Sequence, residues 1–130
     1  MLIDGGRFIF TCLDGSAVHK LLCSPENNGG EWGDKEKYFV KKNYNSNKFT
    51  GTNQMIDILL PFADKLMSEQ LVNLTKIKKV FEKNKLRLES NNSFGNYMDL
   101  FEKQYPALYK EMDDLDRTYI SLHSYMVYIK

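Results

Sequence analysis

The stretch Thr11–Cys23, TCLDGSAVHKLLC, holds both cysteines of the chain and one of its two histidines. Three chemistries use such residues: a disulfide, a metal site, or a thiol nucleophile with an imidazole base. Which is open to them depends on the backbone beneath. Asp14-Gly15 lies between the apolar runs RFIFTCL and SAVHKLLC. Such a pair predicts a two-residue hairpin, because a type I′ turn needs positive φ at both central positions. In that register Cys23 falls opposite residue 6, about 20 Å along the sheet from Cys12. A disulfide needs Cα atoms within about 7 Å, so two thiols are expected. His19 and Cys23 would stand about 13 Å apart on one strand, too far to share an ion. A structural zinc site also wants four ligands, commonly in close-spaced pairs. Cys12 and His19 are diagonal neighbours on one face. That face also carries Phe8, Phe10 and Leu21, which predicts a core thiol rather than a nucleophile. No catalytic residue, metal ligand or cofactor is assigned from this stretch.

Arg117 and His123 are the other pair with chemical reach. Their spacing is similar to the R-x4-6-H pattern of HEPN-type ribonucleases, over seven residues. That resemblance implies an arginine and a histidine acting on an RNA phosphodiester in an all-helical fold, of which an N-terminal hairpin is no part. Residue by residue, the expectation is an Arg117 pair with Asp113 or Asp114 one turn back. His123 is then a polar boundary residue. The glycines of NNGGEWGDKEK do not match the Walker A spacing, so a phosphate loop is excluded.

Formal net charge is +1, which gives no global field toward nucleic acid or anionic lipid. Charge is uneven locally: residues 65–87 are net basic and 99–116 net acidic. Trp32, the only tryptophan, stands in a polar loop. Trp32, Tyr38, Lys41, Lys42, Lys76, Lys79 and Lys83 form the predicted partner-binding set. Lysines interleaved with aromatics also suit a nucleic-acid backbone with stacked bases. Fifteen lysines to three arginines, with eleven asparagines, point to an AT-rich coding sequence such as that of a low-GC bacterium or its phage. The N-terminus lacks a signal-peptide pattern and no apolar run approaches a membrane span, so a cytoplasmic protein is expected.

The elements expected around these residues make an α+β fold in one domain, 1–130. A β-rich part, 1–50, contains the hairpin, a loop at 24–36 and a third strand, KYFVKKNY (37–44). A helical part, 53–130, begins with TNQMIDILLPFADKLM, kinked at Pro61, and continues with a helix from Ser68 to Ser90. Met98, Phe101, Tyr105, Leu108, Met112, Leu115, Tyr119, Leu122, Met126 and Ile129 alternate spacings of three and four, predicting a seam. A short helix near 96–104 and a long one from Pro106 to Ile129 would carry it, packed in a bundle or across a homodimer. The tail YISLHSYMVYI is also rich in strand-forming residues. With no paired nucleophile and base, the leading functional expectation is a non-enzymatic protein-binding inhibitor or adaptor, possibly of counter-defence type. The alternatives are a nucleic-acid binder using the lysines and aromatics, and a small ribonuclease using Arg117 and His123.

Overall fold

In the computed structural model, which describes residues 2–130, the chain is α+β, with seven strands in two antiparallel sheets and five α-helices. It begins with a strand, β1 (Arg7–Leu13), as the alternation of RFIFTCL predicts. The predicted hairpin partner is instead a helix, α1 (Gly15–Leu22). Asp14 is its N-cap rather than a turn residue: its carboxylate accepts the amide of Ser16 at 3.0 Å. Val18, His19 and Leu22 then fall on one buried helical face. Gly15 is needed for close approach, since a Cβ there would lie 2.3 Å from the carbonyl oxygen of Val72.

The chain divides into two compact units. One is Asp14–Asn73; the other takes residues up to Leu13 together with Leu74–Lys130. In the first unit, β2 (Glu31–Asp34), β3 (Tyr38–Lys42), β4 (Met55–Leu59) and β5 (Met67–Gln70) form a meander in that order. The third predicted strand is therefore real, as β3, and the expected loop 24–36 contributes β2. The helix expected over 53–67 is absent, because Ile56 and Ile58 are buried at the period of two that a strand requires. Helix α1 packs on β2 and β3. Val18, Leu22, Phe39, Val40, Ile56, Ile58 and Leu71 are the buried core of this unit.

In the second unit, α2 (Leu74–Lys83) is the central part of the helix expected from Ser68; its ends are taken by β5 and by β6 (Arg87–Ser93). A 3-10 turn at Phe94–Tyr97 leads into α3 (Met98–Gln104), and α4 (Pro106–Glu111) starts at Pro106, as expected. The long C-terminal helix does not form. Asp113 caps a new short helix, α5 (Asp114–Ser121), through a reciprocal box with Asp116, and His123–Ile129 is β7. Ser124, Met126 and Tyr128 are buried in alternation, so the strand-forming content of the tail prevails over the seam spacing.

Strand β7 lies between β1 and β6, paired Arg7↔Ile129 through Leu13↔His123 on one side. Phe10, Phe81 and Tyr128 form an aromatic core, with Phe81 edge-on to Tyr128 at 4.6 Å between centroids. Arg7 reaches Glu89 with two hydrogen bonds of 2.7 Å, meeting it at the irregular register between Leu88 and Ser90. Among the described residues no helix is long and apolar enough to cross a membrane.

Candidate functional site

Because Thr11–Cys23 turns into a helix, His19 and Cys23 are one turn apart on α1, not 13 Å apart on a strand. The His19 ring is buried. Its Nε2 lies 3.0 Å from the carbonyl oxygen of Asn47 and its Nδ1 lies 2.7 Å from the Tyr44 hydroxyl. A carbonyl only accepts, so Nε2 carries the proton, and in the neutral ring Nδ1 accepts from Tyr44. The Cys23 sulfur is 3.7 and 3.9 Å from the two nitrogens. Both nitrogens are already engaged, so this ring is a structural post for Tyr44 and Asn47 rather than a base.

Lys42, at the end of β3, completes the group. Its Nζ is 3.5 Å from the Cys23 sulfur and 3.4 Å from Asn47 Oδ1, and lies 4.9 Å from the centre of the Tyr44 ring. Burial, and secondarily charge on Cys23, push the Tyr44 hydroxyl up to about 12, so it remains a proton donor at neutral pH.

These side chains border a cavity of about 440 Å³ lined mainly by Ser24, Asn27, Asn28, Lys42, Asn45 and Asn47. Its loop wall is pinned at both ends. Asn27 Nδ2 donates to the Leu21 carbonyl at 2.8 Å, and the Lys42 amide donates to the Gly30 carbonyl at 2.8 Å. Gly30 has φ +73°, and a Cβ there would press on the Lys42 side chain at 2.9 Å. The opposite wall is held by buried Gln54, whose amide oxygen accepts from Thr50 and Gly51 while its nitrogen donates to the Lys48 carbonyl, all at 2.8 Å. The described lining offers amide and hydroxyl groups, one ammonium and no carboxylate. Such a wall suits an anion rich in hydrogen-bond acceptors, and the volume is that of a small-ligand site.

Of the residues predicted to bind a partner, only Lys42 borders this cavity. Lys41, its neighbour in sequence, points to the other face of β3 and pairs with Glu31 at 3.4 Å. Trp32, half-buried on β2, pairs across from Val40, and Tyr38 lies beneath Lys37 at 5.5 Å. Lys76, Lys79 and Lys83 share one face of α2, in the other unit. Cys23, Tyr44 and Asn47 were not anticipated as site residues. The spacing of four between His19 and Cys23 is the signal that finds them, once α1 is read as a helix.

Neither cysteine is in a disulfide. Among the described residues no three His, Cys, Asp or Glu side chains gather in a way that could hold a metal ion. Arg117 and His123 lie on different elements, α5 and β7, contrary to the shared helix expected. Arg117 bonds Asp114 at 3.1 Å, the pairing expected one turn back, and stacks over Tyr109 at 4.8 Å. His123 Nδ1 donates to the Tyr119 carbonyl at 2.9 Å, and its ring stacks on Phe94. A second, apolar cavity of about 390 Å³ in that unit is lined by Phe94, Tyr97, Met98, Phe101, Met112 and Ile120. Met98, Phe101 and Met112, three members of the predicted seam, thus line a pocket within the unit.

No protein-family model matches the chain. Over 132 aligned positions, 97% of the chain, it is 29% identical to the mRNA-capping enzymes of African swine fever virus isolate Tick/South Africa/Pretoriuskop Pr4/1996, isolate Warthog/Namibia/Wart80/1980 and strain Badajoz 1971 Vero-adapted. The chain spans about 15% of the length of those enzymes. This likeness to enzymes overturns the expectation of a non-enzymatic inhibitor or adaptor that acts by occupying a partner's surface.

Proposed function

We propose that this chain is part of an RNA-directed enzyme of the mRNA-capping type, and that its polar cavity takes the phosphate-bearing 5′ end of RNA. The observation that carries the reading is the similarity to capping enzymes along nearly the whole chain. The cavity supplies what such a role demands of a binding wall. Lys42 provides the positive charge, and the asparagine amides with Ser24 provide neutral donors for phosphate oxygens and sugar hydroxyls. His19 and Tyr44 act behind Lys42, one fixing the Asn47 backbone and the other lying under the ammonium. No bond-making step is assigned to these residues.

The test is fluorescence anisotropy with two short RNAs of one sequence, bearing a 5′-triphosphate or a 5′-hydroxyl. The triphosphate form is expected to bind at least several-fold more tightly, with affinity falling as salt rises. Lys42→Gln is expected to abolish the difference between the two RNAs while leaving the circular dichroism spectrum unchanged. Equal binding of both RNAs by the unaltered chain would refute the assignment of the cavity.

A further inference from the structure

The cavity rim carries a nucleophile that the RNA reading does not use. Cys23 is exposed, whereas Cys12 is half-buried on β1. The Cys23 sulfur touches the Lys42 ammonium at 3.5 Å and lies against the His19 ring, whose nitrogens are saturated by Tyr44 and Asn47. We propose that Cys23 is a redox-sensitive modification site, oxidised by hydroperoxides, and that its oxidation takes Lys42 out of service in the cavity. This inference goes beyond the RNA reading and does not depend on it.

The physical case rests on where charge sits during the reaction. A sulfur attacking a peroxide carries negative charge, and Lys42 places a full positive charge in contact with it. Cys23 also caps the C-terminal end of α1, its amide bonded to the His19 carbonyl at 3.0 Å. That helix end disfavours negative charge, but it amounts to only about half a charge spread over several carbonyls. The ammonium in direct contact is the stronger influence. In the step itself a sulfur–oxygen bond forms and the peroxide oxygen–oxygen bond breaks. Sulfur loses two electrons to give a sulfenic acid, and the peroxide, with the thiol proton, leaves as water or the corresponding alcohol. The added oxygen stands beside Lys42 and Asn47 and offers the ammonium a hydrogen-bond acceptor that competes with any ligand anion.

The experiment treats the folded chain with hydrogen peroxide, traps sulfenic acid with dimedone and maps both cysteines by mass spectrometry over time. A parallel series uses iodoacetamide, an electrophile that needs no oxidation. Cys23 is expected to react at least tenfold faster than Cys12 with both reagents. Lys42→Met is expected to slow Cys23 several-fold and leave Cys12 unchanged, while Lys42→Arg, which keeps the charge, restores most of the rate. Equal rates at the two cysteines, or a Cys23 rate indifferent to Lys42→Met, would overturn the proposal. None of these readouts involves RNA, so a failure of the RNA reading leaves them intact.

Discussion

Replacing Gly15 with alanine sets two effects against each other. Near the start of a helix alanine is favoured over glycine by up to about 1 kcal/mol. Gly15 is not in the left-handed region, so alanine meets no backbone strain there. The opposing term is packing. The new Cβ would stand 2.3 Å from the Val72 carbonyl oxygen and 2.8 Å from its nitrogen. Both are main-chain atoms, which cannot rotate away as a side-chain tip would. Restoring ordinary contact requires the two segments to part by roughly 1 Å, enough to forfeit much of the local dispersion contact. That movement breaks the 2.9 Å bond from the Gly15 amide to the Val72 carbonyl. Each buried polar group left unpaired costs about 1–3 kcal/mol. The packing term wins, and Gly15→Ala is expected to destabilise the Asp14–Asn73 unit by about 2–4 kcal/mol. Urea unfolding followed by Trp32 fluorescence reads that unit, since the only tryptophan lies within it. The midpoint should fall with the slope unchanged. A midpoint equal to or above that of the parent chain would refute the reasoning, because helix propensity would then have prevailed.

Two further outcomes follow from the charged and titrating groups. Tyr44→Phe removes the hydroxyl bonded to His19 and is expected to cost about 1–3 kcal/mol, read from the same urea curves at pH 7. Tyr44 is raised from 10.0 to about 12 in the folded chain, so its contribution is complete below pH 10 and is lost as pH climbs through about 12. The variant should therefore show a smaller loss of stability between those pH values. At the acid end, Arg7 holds the Glu89 carboxyl below its usual 4.5, chiefly through their hydrogen bonds. That contribution is present above pH 4.5 and disappears as pH falls through the lowered value. Glu89→Gln should flatten this part of the acid unfolding profile, and an unaltered profile would show that the ion pair contributes nothing.

What could be read in advance depended on how many local signals agreed. β1 and β3 were legible because alternation, β-branching and flanking turn residues all pointed the same way. α3 and the start of α4 were legible because Pro106 can open a helix but not continue one. Asp14-Gly15 misled because the same dipeptide serves a type I′ turn and a capped helix start. The choice is settled by Val72, more than fifty residues away, against which only glycine fits. The tail misled in the opposite sense. Leu122, Met126 and Ile129 satisfy a heptad spacing, yet Ser124 and Tyr128 share the buried alternation, and β1 and β6 pair on either side. Of the site, Lys42 was anticipated, but its companions were not. Tyr44 and Asn47 lie outside regular structure, so no periodicity brings them to His19.

The pairing of β1 with β7 has a bearing on the order of assembly. Those strands lie almost the whole chain apart, and the loop between them contains the entire Asp14–Asn73 unit. That unit closes on itself at its neck through the Gly15–Val72 bond, and its sheet is a meander of sequence neighbours. Its contacts are short in sequence, so it can form early; the three-stranded sheet must wait for β7, the last strand to be synthesised. Until then β1 offers an open edge bearing Phe8 and Ile9, both still exposed in the finished fold. Nascent chains should therefore be most vulnerable to aggregation in the interval between completion of the cavity-bearing unit and emergence of the C-terminal strand.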